Sequence, residues 1–233
     1  MDRPAPRTAC ALRAAALAAA LAAGLNGGTA LAAPVAVDLG GVRVVLDAPA
    51  GFSDTTFTGS PRLRDLAESL VPASNRVLLF ALTDADLRAF SVGDTPELRR
   101  MLVAATPRHL EREWVGTTQL NQQAAELIGT ATSRPSSGYL SALKTQPFGQ
   151  PLPLTELFRD RNGVAVVQGT RFPGPDGNAE KQTYALSGTV LLMLRGKLVS
   201  LLLFTRYASD ADAEWIQTAT RRWAEDLRRL NTR

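Results

Sequence analysis

Two apolar runs, Thr189–Leu194 and Leu198–Tyr207, face each other across the short polar break Arg195-Gly196-Lys197. Neither run is long enough to cross a bilayer, which takes about 20 apolar residues, so each reads as a buried strand. Gly196 accepts the positive φ of a tight turn, and the pair is therefore expected as an antiparallel hairpin. Such a hairpin is apolar on both faces and needs cover. The cover follows at once: after Ser209, residues Trp215, Ile216, Ala219, Trp223, Leu227 and Leu230 recur every three or four positions, the stripe of an amphipathic helix. Asp210, Asp212 and Glu214 open it and Arg228, Arg229 and Arg233 close it, both complementing the helix dipole. Trp215 and Trp223 lie two turns apart, so the helix is expected to bury its indoles on the hairpin; the competing expectation is an exposed indole stripe that docks a partner.

Upstream the same pattern continues. Gly163–Phe172 reads as a strand, and Pro173-Gly-Pro-Asp-Gly-Asn178 as its turn into a further strand at Gln182–Leu186. Val42–Leu46, Val77–Thr83 and Arg100–Ala105 add earlier strands. Ser60–Leu70 and Asp84–Phe90 read as short helices, the second capped by Thr83 or Asp84. Pro107–Ile128 reads as a longer helix interrupted at Gly116-Thr117-Thr118. From Gly129 to Pro153 the composition turns to Ser, Thr, Gly, Pro and Gln, a polar loop. The fold class expected is α+β: an antiparallel β-sheet with flanking helices, the C-terminal amphipathic helix packed on the sheet, in a single domain over 33–233.

The first 32 residues stand apart. Arg3, Arg7 and Arg13 precede an uncharged run from Ala14 to Leu25, and Ala30-Leu31-Ala32 supplies small residues for cleavage. This is the pattern of a secretory signal peptide, 1–32, and predicts a periplasmic or secreted protein. Asn26, Gly27-Gly28 and Pro34 interrupt the run before it could serve as an uncleaved anchor. Cys10 precedes the apolar run and lacks a Leu-led triplet, so no lipid anchor is expected. Removing the leader takes away Cys10, the one cysteine, so no disulfide is possible in the mature chain. It also lowers the formal net charge from +4 to about +2, and the arginines are scattered among acids, so no nucleic-acid partner is expected. No transmembrane segment is expected after signal removal.

The hairpin LLMLRGKLVSLLLFTRY with the following DADAEWIQTATRRWAEDLRRLN, the earlier SNRVLLFAL and TDADLRAF (Ser74–Phe90) and LRRMLVAAT (Leu98–Thr106) together resemble a group of uncharacterised exported bacterial proteins. The order of strands and helices is similar, more loosely, to the PsbP-like fold, an antiparallel sheet packed between helices. That resemblance implies a non-catalytic module that binds a protein partner or serves as an extrinsic subunit; it carries over no catalytic, cofactor or metal residue.

The residues themselves offer little chemistry. His109, the one histidine, has Glu113 four positions on, a spacing that could share a metal on one helix face; a second histidine, as a zinc protease requires, does not exist in the chain. Ser141-Ala-Leu-Lys144 has the spacing in which a lysine amine could deprotonate a serine hydroxyl, without the companion motifs of that enzyme class. Asp84-Ala-Asp86 lacks the Gly and distal Glu of a calcium loop, and Thr83 or Asp84 is better used as a helix cap. Asp176, Asn178 and Glu180 alternate as oxygen ligands, but Asp-Gly is already explained by turn geometry. No catalytic, cofactor-binding or metal residue is assigned, and no cofactor is expected. The function expected is an exported non-catalytic module, a binding or structural protein of the cell envelope, its partner an unknown protein or envelope component. The alternative is a hydrolase or metal-dependent enzyme using dispersed Asp, Glu and Ser residues.

Overall fold

The hairpin is the centre of the sheet. The computed structural model describes residues 34–129, 135–174 and 181–232; the leader and the Asp176, Asn178 and Glu180 positions lie outside the described residues. Nine strands are seen among them: β1 (Val35–Leu39), β2 (Val42–Leu46), β3 (Phe52–Asp54), β4 (Asn75–Thr83), β5 (Arg100–Pro107), β6 (Pro151–Asp160), β7 (Gly163–Phe172), β8 (Thr183–Leu194) and β9 (Lys197–Tyr207). The helices are α1 (Pro61–Ser69), α2 (Asp84–Ser91), α3 (Thr117–Ile128), α4 (Tyr139–Lys144) and α5 (Asp210–Asn231). β1 and β2 form a separate ladder, and the remaining strands form one seven-stranded sheet in the order β3-β4-β5-β9-β8-β7-β6. All of its pairs are antiparallel. The protein is thus α+β with its C-terminal helix on the sheet.

Alternation along the strands sorts the core into two sides. Leu186, Val190, Leu192, Val199, Leu201 and Leu203 face α5, whose Ile216, Trp223 and Leu227 fill that side together with Leu39, Val44 and Leu46 of the small ladder. On the other side α3 covers Val164, Leu191 and Leu198, while α1 covers Phe80, Leu82, Val103 and Ala105. The β8–β9 turn places both Arg195 (φ 51°) and Gly196 (φ 75°) in the left-handed region, the geometry that matches the twist of a two-residue hairpin. A non-glycine residue is strained there. Arg195 is held by its own guanidinium, which donates to the Asn231 and Arg43 carbonyls at 3.2 Å each.

Several elements differ from expectation. Gln182–Leu186 and Thr189–Leu194 are one continuous strand, β8, because Gly188 continues the ladder opposite Val167 and Leu203. Pro107–Ile128 is not one helix. β5 runs to Pro107, a single 3-10 turn follows at Arg108–Leu110, and α3 begins only at Thr117. The reason is tertiary: Thr106 Oγ1 donates to Leu198 O, and the Val115 N–H donates to Gly196 O, so the chain between them is tied at both ends to β9 and its turn and does not continue as a helix. Gln119 Oε1 then accepts the Gly116 N–H and starts the helix. The stretch expected as a loop over 129–153 contains α4, with Tyr139 and Leu143 fully buried, and the start of β6. β1, β3 and β6 were not expected at all. β6 is an edge strand with two register shifts and prolines at 151 and 153, a protected edge whose irregular sequence hides its strand character.

Candidate functional site

The chemistry-bearing positions do not converge. His109 sits in the 3-10 turn and is exposed, Glu113 lies beyond it in non-helical chain, and the helical face that would have aligned them does not exist. The segment is fastened instead by Lys197. That side chain is only 3% exposed, and its ammonium donates to the Glu111 and Glu113 carbonyls at 3.1 and 2.9 Å. Ser141 and Lys144 are both exposed on α4, and the serine hydroxyl donates to the Gly138 carbonyl at 3.0 Å, so no desolvated lysine faces it. Among the described residues no three His, Cys, Asp or Glu side chains gather as a metal site.

Asp84 and Asp86 do structural work. The Thr83 hydroxyl accepts the Asp86 N–H and donates to its Oδ2, capping α2 as expected, while Asp86 Oδ1 accepts the Glu97 and Leu98 N–H groups. Asp84 Oδ1 accepts from Ser53. One carboxyl does sit above its ordinary value: burial raises Asp47, the Ala48 N–H opposes this, and Asp226 adds to it. Asp47 lies where β2 meets α5, with its carbonyl accepting the Trp223 indole N–H at 2.7 Å.

The indoles are divided. Trp223 is 1% exposed, so the core expectation holds for it. Trp215 is half-buried, tilted against Phe52 with ring centroids 6.3 Å apart, and carries the Arg100 guanidinium over its face at 4.1 Å. Beside it lies a buried acid that the sequence offered only as a dipole partner. Asp212 accepts the Ala208 and Ser209 N–H groups at the start of α5 and pairs with Arg99 at 3.1 Å and Arg100 at 3.5 Å. Its carboxyl lies below the usual range, because these donors outweigh the opposing effect of burial.

What remains open is a stretch of sheet. On the side opposite α5, the covers provided by α1 and α3 leave the ends of β5, β7, β8 and β9 bare among the described residues. Met101, Phe172, Ala185 and Phe204 floor a shallow groove, with Arg99 and Arg206 at its rim. Phe172 is 42% exposed, and Arg206 has no carboxylate partner among the described residues. The groove is mainly apolar; the hydroxyls of Thr183, Tyr184 and Thr205 also line it, with no carboxylate or histidine among its lining residues to act as their base. Single-sequence reading could not find it, since its residues come from distant strands; the one visible signal was Phe172 at the end of its strand, next to a turn.

The fold and groove together define an α+β protein with one filled helix–sheet interface and one partly open sheet face; among the described residues no helix is long and apolar enough to cross a membrane. No family model matches the chain, and no curated protein matches it. Among solved structures the chain is similar to Mog1p, a Ran-binding protein of Saccharomyces cerevisiae, at 10% identity over 86% of this chain and 94% of that one, with a TM-score of 0.39. It is also similar to a point variant of Mog1 at 13% identity, over 84% of this chain and 90% of that one, with a TM-score of 0.37.

Proposed function

We propose that the protein is an exported, non-catalytic module of the cell envelope that binds a partner through the groove on its open sheet face. The observation that carries this reading is the groove itself: half-exposed aromatic and apolar side chains on a rigid sheet, with cationic groups at the rim and no reactive pair within reach. Apolar surface of this kind left bare beside a filled core is characteristic of interaction sites. The reading is supported by the leader pattern of residues 1–32 and by the resemblance to exported bacterial proteins with a PsbP-like arrangement. The hydrolase alternative has less support, since Asp47 and Asp226 face the ladder-to-helix seam and the Ser141 hydroxyl is engaged with backbone.

Two measurements test it. N-terminal sequencing of the protein from cells should begin at or near Ala33 in detergent-free extract; an intact Met1–Ala32 on protein extractable only with detergent replaces export by anchoring. Mild pull-down from the native envelope, with partners identified by mass, should recover a partner that Phe172→Asp and Phe204→Asp lose while keeping their melting temperature. Retention of every partner by these variants removes the groove from the function.

A further inference from the structure

The opposite end of the sheet carries a second surface. There the β8–β9 turn meets the Gly40-Gly41 turn, the segment 108–116 and the Arg161-Asn162 turn. Gly40 packs against the backbone of Glu111 and Arg112, Arg195 reaches the Arg43 carbonyl, and the Met193 N–H donates to Asn162 O. In the middle stands Trp114. It is 72% exposed, yet one side of its ring is seated on Gly196, where any Cβ would come within 2.6 Å of ring carbons. The backbone on either side is fixed by the Val115 N–H on Gly196 O and by the buried Lys197 ammonium on the Glu111 and Glu113 carbonyls. An indole that the fold holds out to solvent on such a scaffold is preorganised for contact.

Its surroundings are cationic. Arg43, Arg108, Arg112, Arg161 and Arg195 are all exposed at this end, and none pairs with a carboxylate among the described residues. The local acids are mostly neutralised: Glu111 by Arg76 and Asp160 by Arg228, leaving Asp38 and Glu113. A protein interface of stable size centres on a cluster of apolar side chains, whereas here one amphipathic ring stands at an end of the fold whose turns carry five guanidinium groups without a carboxylate partner. That combination matches the interfacial zone of a bilayer, where indoles settle at headgroup depth and basic side chains meet anionic lipid.

We infer that this end of the protein docks on an anionic phospholipid bilayer, with Trp114 at headgroup level and Arg43, Arg108, Arg112 and Arg161 on lipid phosphates. The groove then lies roughly 36 Å away along β8, at the strand's far end and clear of the lipid. One tryptophan at headgroup depth with several cations gives reversible binding, far short of the insertion that a spanning helix provides. The inference stands apart from the groove reading, and the variants below separate the two.

The test is flotation with vesicles of phosphatidylcholine, with and without phosphatidylglycerol, using protein recovered from cells with its N-terminus sequenced so that all variants share the same start. Wild type should float with phosphatidylglycerol vesicles, increasingly so at low salt, and not with phosphatidylcholine alone. Arg108→Glu with Arg112→Glu should lower partitioning about 25-fold or more, at roughly five-fold per lost cation, and Arg161→Glu, on another turn, should act in the same direction. Brominated lipid should quench wild-type fluorescence and lose that quenching in Trp114→Phe. Arg206→Glu, in the groove, should float like wild type. Equal flotation of the Arg108→Glu/Arg112→Glu protein, quenching that persists in Trp114→Phe, or binding to heparin with none to phosphatidylglycerol vesicles overturns the inference.

Discussion

Gly188 of β8 lies directly under Thr220 of α5, so close that a Cβ at 188 would fall 2.0 Å from Thr220 Oγ1 and 3.1 Å from its Cβ. Thr220 cannot swing away easily, because it is fully buried and its hydroxyl donates to the Ile216 carbonyl. Gly188→Ala should therefore destabilise by about 1–3 kcal/mol through overpacking. Thr220→Ala removes the nearest atom, and Gly188→Ala in that background should cost less. Urea melts of the two single variants and the double variant give the coupling directly; strict additivity contradicts the contact.

The two indoles of α5 should behave differently. Trp223, at 1% exposure and bonded to Asp47 O, should cost about 3–5 kcal/mol on truncation to Ala. Trp215, half-buried under Arg100, should cost about 1–2 kcal/mol from partial burial and its cation–π contact. Equal losses in denaturant melts would show that the helix buries both alike.

Asp212 sets an acid limit. Its carboxyl lies below the ordinary value of 3.8: burial alone would raise it, but the Ala208 N–H, the Arg99 guanidinium and the Ser209 N–H prevail. A value lower in the folded than in the unfolded chain means that the ionised group stabilises the fold above the unfolded value, and that this contribution is lost as pH falls through the lowered folded value. Asp212→Asn should therefore cost about 1–2 kcal/mol at neutral pH, as lost helix caps do, and the gap from wild type should narrow below pH 3.8. Chemical melts across the acid range test the slope; a gap that widens with acidity reverses the assignment.

Lys197 is a strut. Replacing it with Met keeps the aliphatic stem but leaves the Glu111 and Glu113 carbonyls without their donor, a loss of about 1–3 kcal/mol. The Val115 N–H, bonded to Gly196 O, should exchange faster with solvent in Lys197→Met than the N–H groups of β7.

The centre of the fold was legible because its pattern is local. An apolar run, a three-residue break and a second run leave little choice but a hairpin, and the stripe from Ile216 to Leu227 has to cover something. The cap of α2 was legible to within one residue, Thr83 or Asp84, since capping is read within three residues, and Thr83 is the one that accepts the Asp86 N–H. The errors share another origin. The stretch after Pro107 reads as helix by composition, but Thr106 and Val115 are tied to β9 and its turn, and no local signal reports those partners. α4 was hidden because its two buried residues, Tyr139 and Leu143, sit in a stretch otherwise rich in Ser, Gly and Pro. The candidate groove is the extreme case: Met101, Phe172, Ala185 and Phe204 are neighbours only across four strands. What the sequence could convey of the site was what it lacked, a second histidine and any companion motif to Ser141 and Lys144.

Asn231 behaves toward β2 as a strand would, its side-chain amide accepting the Val45 N–H and donating to the Val45 carbonyl across 186 residues of chain. A ribosome making about 5–20 residues per second delivers β2 some 10–40 s before that amide exists. During that interval the β1–β2 ladder has neither its cover nor its edge partner. An early strand is thus secured late: on a nascent chain β2 stays without its clasp, open to passing chaperones, until the last turn of α5 has been made.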